Sequence, residues 1–264
     1  MIDFTPPPKL ILPERPAIIR PAPKFYLAKP YVMRHYKAIL PGMMAPIFPI
    51  GGIGGIDADT LLMLHCDGAD ASTALTDSSM SARTVTAYGN AQIDTAQSVF
   101  GGASALFDGS GDYLSVPDHA DWDLGTGNFT VDTRVRFNAL SGFQGIMVLD
   151  TYTTGIRILS NGSSSFEMNV VGTDCSETYA LSTATWYHLA LVRISGTVRF
   201  FVNGTQVGTD TTAAGNITGL TLGLFVGVGT STSVYPLNGW IDEFRFSKVA
   251  RWTTTFTPPT EPYS

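Results

Sequence analysis

From about residue 60 onward the apolar positions fall in short runs separated by turn residues. Between 129 and 137, Phe129, Val131, Thr133, Val135 and Phe137 alternate with Thr130, Asp132, Arg134 and Arg136. A period of two, with one apolar and one polar side, predicts a half-buried β-strand. Residues 60–66 form an apolar run of strand length. Residues 186–192 are apolar on both sides, as expected of an interior strand. Residues 198–202 follow across Gly196, and Asn203-Gly204 then supplies a hairpin turn. Further strands are expected near 144–149, 155–160, 165–171, 220–228 and 239–247. No amphipathic helical run of twelve or more residues breaks this series. Many short strands with frequent turn signals predict an antiparallel sandwich or jelly roll.

The first 57 residues read differently. They hold eleven of the sixteen prolines and show no periodic face from which a core is built. They predict extended, polyproline-type chain with one short helix near 31–40. The glycines from 51 to 55 read as a hinge into the body. Residues 38–56 are nineteen uncharged residues, long enough to span a bilayer, but they contain three prolines and five glycines. Lipid would leave such a backbone unsatisfied, so this stretch reads as extended chain packed against protein, with no membrane insertion. The expected division is an extended Pro-rich anchoring arm over 1–57, marked by Pro8, Arg20, Tyr31 and Phe48, and a β-sandwich over 58–264.

Charge sharpens this division. Residues 1–56 carry seven basic and two acidic side chains, and the remainder nine basic and twenty acidic, so +5 stands against −11 within a total of −6. A basic arm can dock on its own acidic body or on another acidic surface. Its basic residues are dispersed and no nucleic-acid motif occurs, so no nucleic-acid partner is expected. Cys66 and Cys175 stand outside any zinc-type spacing and read as two buried thiols or one disulfide. The start lacks the basic and apolar regions of a secretory leader, which favours thiols.

Five segments, in order, carry a resemblance. They are 61–68 (LLMLHCDG), 100–109 (FGGASALFDG) running on to Asp112-Tyr113-Leu114, 129–132 (FTVD), 185–193 (TWYHLALVR) leading to Phe201-Val202-Asn203-Gly204, and 238–245 (NGWIDEFR). Together they resemble the laminin-G-like, concanavalin A-like jelly rolls common in bacterial and phage proteins. The resemblance covers about 58–264 and implies an all-β antiparallel jelly-roll sandwich. Where that family often has a Trp, this chain has Arg134, so that face is expected to pack differently. Residues 246–259 (FSKVARWTTTFTPP) are similar to endings of laminin-G-like proteins of tailed phages. Segments 8–13 and 16–21 resemble starts of phage structural proteins. The resemblance implies a virion-surface protein, a capsid decoration or a tail or fibre component. Its arm would bind other virion proteins and its body would act as an adhesion module. A homo-oligomer is expected, of a number the sequence does not fix.

The fold hosts both lectins and glycoside hydrolases, so chemistry must be argued from residues. A retaining glycosidase needs two carboxylates roughly 5–5.5 Å apart. The Glu-x-Asp-x-x-Glu run of laminarinase-like relatives is absent. Asp242-Glu243 is the tempting pair, but neighbours on a regular strand point to opposite faces, so a structural role is expected for both. His35, His65, His119 and His188 are dispersed, and His65 and His188 read as satisfied core histidines. There is no Gly-x-Ser-x-Gly elbow. No catalytic residue is therefore assigned. No cofactor is assigned either, beyond the structural Ca²⁺ that the resemblance places at Asp242, with Asp67 and Asp108 as looser candidates. For a carbohydrate, the cluster of Asp112, Tyr113, Asp118, His119, Asp121 and Trp122 is the best candidate. Tyr113 and Trp122 would stack on sugar rings beside Asp118, the alternative being that Trp122 packs beneath its own loop. Of the sequons at Asn128, Asn161, Asn203 and Asn216, Asn203 is better explained by its turn. The expected function is a non-enzymatic virion protein displaying an adhesion module, with a free carbohydrate-binding lectin as the alternative and a glycoside hydrolase behind both.

Overall fold

The structure, a computed structural model, describes residues 55–231 and 233–264. The anchoring residues Pro8, Arg20, Tyr31 and Phe48 and the expected helix near 31–40 lie outside the described residues. The strands in chain order are β1 (Thr60–Leu64), β2 (Thr86–Tyr88), β3 (Gln92–Asp94), β4 (Ser104–Asp108), β5 (Tyr113–Val116), β6 (Phe129–Phe137), β7 (Phe143–Leu149), β8 (Ile156–Asn161), β9 (Ser165–Val170), β10 (Thr173–Asp174), β11 (Glu177–Thr178), β12 (Trp186–Ile194), β13 (Thr197–Val202), β14 (Thr205–Thr212), β15 (Leu224–Val226) and β16 (Asn238–Ser247). They form two antiparallel sheets. Sheet A runs β14-β13-β12-β6-β16-β4-β3, with β1 also on β16, and sheet B runs β10-β9-β8-β7-β15-β5-β2, with β11 also on β9. This is the all-β jelly-roll sandwich that the strand pattern and the resemblance implied.

The long alternating and apolar runs form strands where expected. The exception is 220–228, which narrows to β15, because Gly223 and Gly227 take φ of +84° and +83° and end the strand on either side. At the β13–β14 hairpin, Asn203 and Gly204 both have positive φ, 50° and 78°, the pair that a tight two-residue turn requires. Between the sheets lies one continuous core that takes Leu62, Phe107, Phe129, Phe244 and Phe246 from sheet A and Ile146, Ile158, Phe166, Met168 and Leu224 from sheet B.

The outer face of sheet A departs from expectation. The polar side of β6 should face water, yet Thr130 and Asp132 are fully buried. The cause is the C-terminal tail, residues 248–264, which runs back across this face. Thr130 Oγ1 donates to Val249 O at 2.8 Å and accepts from Arg251 N at 2.8 Å. Trp252 and Phe256 stack at 4.2 Å and roof Ala190, Val192 and Phe201. Gly204 lets the tail through, since a Cβ there would stand 1.9 Å from Phe256 O. Beneath the roof Arg245 pairs with Asp132 at 3.0 Å, neither side chain exposed, and the Tyr263 hydroxyl donates to the same carboxylate. The Arg245 guanidinium also lies 3.7 Å from the centre of the Tyr263 ring. Arg134, standing where the resemblance offers Trp, is part of this layer, donating to Pro259 O at 2.5 Å.

Replacing one member of a buried ion pair strands the other. Arg245→Met is expected to cost about 3–5 kcal/mol in chemical denaturation, and adding Asp132→Asn is expected to recover part of that loss.

Candidate functional site

Among the described residues no tail crosses sheet B, and a hollow lies at its β2–β5 edge. A cleft of about 430 Å³ opens between residues 81–84, leading into β2, and residues 116–121, following β5. Its lining includes Arg83, Thr84, Asp118, His119 and Asp121. Three of the residues singled out from sequence therefore do meet, at one end of the β2–β5 pair. Asp77 shapes the first wall by accepting from the Ser79 and Arg83 amides. A 3-10 turn, Ala120–Trp122, shapes the second, with His119 Nδ1 accepting from Asp121 N at 3.1 Å. Asp118 and His119 are solvent-exposed.

Trp122 does not present a ring to this cleft. It is wholly buried, donates its indole N–H to Pro117 O at 3.1 Å, and stacks on Phe246 at 5.6 Å. Arg83 closes it from outside, its guanidinium 4.5 Å over the ring and paired with Asp121. Trp122 thus packs beneath its own loop, and the stacking role is closed to it. Asp112 is also buried, its carboxylate accepting from the Asn90 and Asp108 amides.

At the other end of the strand pair, Tyr113 lies against Tyr88 with parallel rings 4.6 Å apart and against Phe225 at 6.0 Å. Both sides of the Tyr113 ring are occupied, so it offers an edge and a hydroxyl. Tyr88 is 45% exposed on the edge strand, and among the described residues no strand lies beyond its other ring face. The sheet's free aromatic face therefore belongs to Tyr88, which the sequence reading passed over. Its signal was present in the alternation of Thr84, Thr86 and Tyr88 before Gly89-Asn90. Four residues of strand place Tyr88 about 13 Å from Thr84 and the cleft.

Asp242 and Glu243 overturn the expectation of opposite faces. A β-bulge interrupts the β6–β16 register between Asp242 and Arg245, and Glu243 takes φ of +49°. Ile241 and Phe244 enter the core, leaving both acids on the outer side of sheet A. Neither is open to a substrate, since both are buried. Glu243 bonds His65 Nδ1 at 2.6 Å and Tyr263 N at 2.9 Å, and this partner holds the His65 pKa above its usual value. Asp242 Oδ2 accepts from the Val99 and Phe100 amides at 2.7 and 3.1 Å. These amides satisfy one carboxylate oxygen, while Asp242 Oδ1 is buried without a hydrogen bond. Among the described residues no three His, Cys, Asp or Glu side chains converge as metal ligands. His65 is satisfied, as expected. His188 is not: both ring nitrogens are buried without a hydrogen bond, and burial pushes its pKa down to about 3. Cys66 and Cys175 are buried free thiols.

Residues 108–254 match the family described as the concanavalin A-like lectin/glucanases superfamily. Among curated proteins none matches the chain in sequence. Among solved structures, the fold is similar to the binding domain of botulinum neurotoxin serotype D, with a TM-score of 0.57 and 16% identity over 73% of this chain and 49% of that one. It is similar also to the binding domain of botulinum neurotoxin DC in complex with rat synaptotagmin II, with a TM-score of 0.55 and 13% identity over 73% and 49%. A third is botulinum neurotoxin type C, whose cell entry depends on interaction with two ganglioside molecules, with a TM-score of 0.52 and 13% identity over 74% and 49%. This chain spans about half the length of each, and at this identity the likeness is one of fold.

Burial raises the Asp242 pKa to about 7, against the pull of the Val99 and Phe100 amides. The folded state then holds a proton that the unfolded chain has released above its usual carboxylate pKa of about 4. The stability contributed by Asp242 is complete below pH ~4, falls as pH rises from there, and is gone above the folded value. Melting temperature measured from pH 4 to 8 is expected to decline less in Asp242→Asn than in the parent.

Proposed function

The chain belongs to the concanavalin A-like lectin/glucanases superfamily, and we propose that it is a non-enzymatic binding module that takes a glycan along the β2–β5 edge of sheet B. The observation that carries this reading is the pairing of the exposed Tyr88 ring with the polar cleft of Arg83, Thr84, Asp118 and His119 on one strand pair. An aromatic face beside a few convergent polar groups suits a sugar ring, which has apolar C–H faces and a hydroxyl rim. The burial of Asp242 against residues 99–100 and of Glu243 against Tyr263 supports binding in place of hydrolysis. The neurotoxin domains of similar fold, one bound to synaptotagmin II and one dependent on gangliosides, support a receptor or glycan as partner.

The finer reading places this module on a phage particle. The likeness of residues 246–259 to endings of tailed-phage proteins supports it, as does the Pro-rich, basic stretch 1–57. In this reading residues 1–57 bind other virion proteins, the prolines lowering the cost of ordering, and the sandwich is displayed at the virion surface. Several copies, as a homo-oligomer or on one particle, turn weak sugar contacts into avidity.

Glycan-array binding of the whole chain is the direct test. Tyr88→Ala is expected to weaken each positive by roughly tenfold, about 1.4 kcal/mol, with melting unchanged. An array without positives, or release of reducing sugar from β-glucans, would overturn the reading. For the particle, a chain lacking residues 1–57 is expected to be lost from assembled virions. Full incorporation without the arm would sink that placement.

A further inference from the structure

We propose that the end of sheet A beyond the C-terminal tail is a second glycan platform, built on Trp186, Arg136 and Trp240, and that it takes a flat, neutral polysaccharide of the β-1,4-glucan kind. It shares a ligand class with the proposed function but lies on the other sheet from Tyr88, so either site can fail alone.

The tail meets His188 through the Trp252 and Phe256 rings and Arg134 through Pro259 O. Two residues further along these strands, cross-strand partners run in an unbroken row from Trp186 to Arg136, Trp240, Leu106 and Gln92. Their strand neighbours Tyr187, Val135, Ile241, Ala105 and Ile93 all enter the core, so the row faces outward. Each of its five members is half-buried and keeps part of its surface in water.

Arg136 stands in the middle of this row, its guanidinium 5.0 Å from the centre of the Trp240 ring. Among the described residues no hydrogen bond or ion pair engages it, whereas the other seven described arginines each donate to a protein oxygen. Its five N–H donors are therefore open to a ligand and are steadied by the indole. Trp240 is itself fixed, since its indole N–H donates to Asp94 Oδ2 at 2.6 Å and the ring so spans β4 to reach β3. Trp186 stands on β12, two strand spacings or about 10 Å from the strand of Trp240.

A polar rail runs beside the row, two residues further from the tail. In it Asn138 Nδ2 donates to Asn238 Oδ1 at 3.1 Å and Asn90 Nδ2 to Asp108 Oδ2 at 3.2 Å. Indole rings suit the apolar C–H faces of pyranoses, and a guanidinium beside carboxamides suits their hydroxyls. Five neighbouring strands make the surface broad, which favours an extended, ribbon-like polymer lying across them. Two carboxylates, Asp94 and Asp108, border the one open guanidinium, so the surface favours a neutral chain over a polyanion. Trp186, Arg136 and Trp240 all lie within residues 108–254, the part that matches the lectin/glucanases superfamily.

The test runs the whole chain in native gels containing hydroxyethyl cellulose, a soluble β-1,4-glucan, or alginate as a charged polymer. Hydroxyethyl cellulose is expected to retard the chain well beyond alginate. Trp186→Ala and Arg136→Gln are each expected to weaken that binding about tenfold, with the melting temperature unchanged. Should Trp186→Ala fold poorly, Arg136→Gln decides, because its side chain holds no other protein group by a hydrogen bond. Absence of retardation in the parent, or retardation unmoved in Arg136→Gln, overturns the inference. Retardation lost in Tyr88→Ala and kept in Trp186→Ala overturns it too, moving the glucan to sheet B and leaving the proposed function standing. A parent that ignores the glucan and sediments as a dimer, with Trp186→Ala a monomer, gives the platform to a second copy of the chain and equally overturns it.

Discussion

Asp132 and Arg245 lie side by side on the outer face of sheet A with no exposed surface, and two ions removed from water must have their remaining hydrogen-bonding capacity met nearby. The sheet alone does not meet it. The Tyr263 hydroxyl reaches Asp132, Gly55 O accepts from Arg245 at 3.2 Å, and the rings of Trp252 and Tyr263 flank the guanidinium. Each of these groups comes from chain outside the sheet. A charged pair at this spot therefore requires a tail long enough to cross the sheet, a glycine where it crosses β13–β14, and aromatic side chains at the points where it lies down.

That requirement divides the two faces of the sandwich. Sheet A is covered by its own chain, down to a histidine, His188, held neutral between Trp252 and Phe256. Among the described residues sheet B carries no such cover at its β2 edge, where Thr86 and Tyr88 are exposed, and its loops shape hollows. The loop after β15 comes close over the sheet at one point, where Gly145 has room for no side chain, since a Cβ would meet Gly229 N at 1.9 Å. Beneath that loop Val148 and Leu159 are buried. The proposed function follows from this asymmetry more than from any single residue.

Much of the sheet architecture was readable because a strand with one face in a core shows its period in plain alternation, as at 129–137 and 239–247. What alternation does not record is which face is later covered. Asp132 and Thr130 read as a solvent side, and nothing local to β6 says that residues more than a hundred positions away will bury them. The Asp242-Glu243 pair failed for a related reason: a bulge adds one residue between inward positions and breaks the parity on which the reading depended. For the candidate site, Asp118, His119 and Asp121 were legible as a polar loop, whereas Trp122 looked like a platform and is a core residue. Tyr88 escaped because it sits in a three-residue strand, and its worth depends on which strands become neighbours.

The chain enters the sandwich where it also ends. Ile56 N donates to Ser264 O at 3.0 Å, Arg245 bonds Gly55 O, and Arg251 grips both oxygens of Asp57 at 2.8 and 2.7 Å. Just beyond, β1 runs antiparallel to β16 at the centre of sheet A. A mechanical pull on residue 55 is thus carried first by this clasp and then, lengthwise, by the β1–β16 ladder, whose hydrogen bonds share the load in shear instead of opening one by one. Drag on a ligand held by sheet B would pass through the core to the same anchorage, so grip strength and fold strength meet at Asp57 and Arg251.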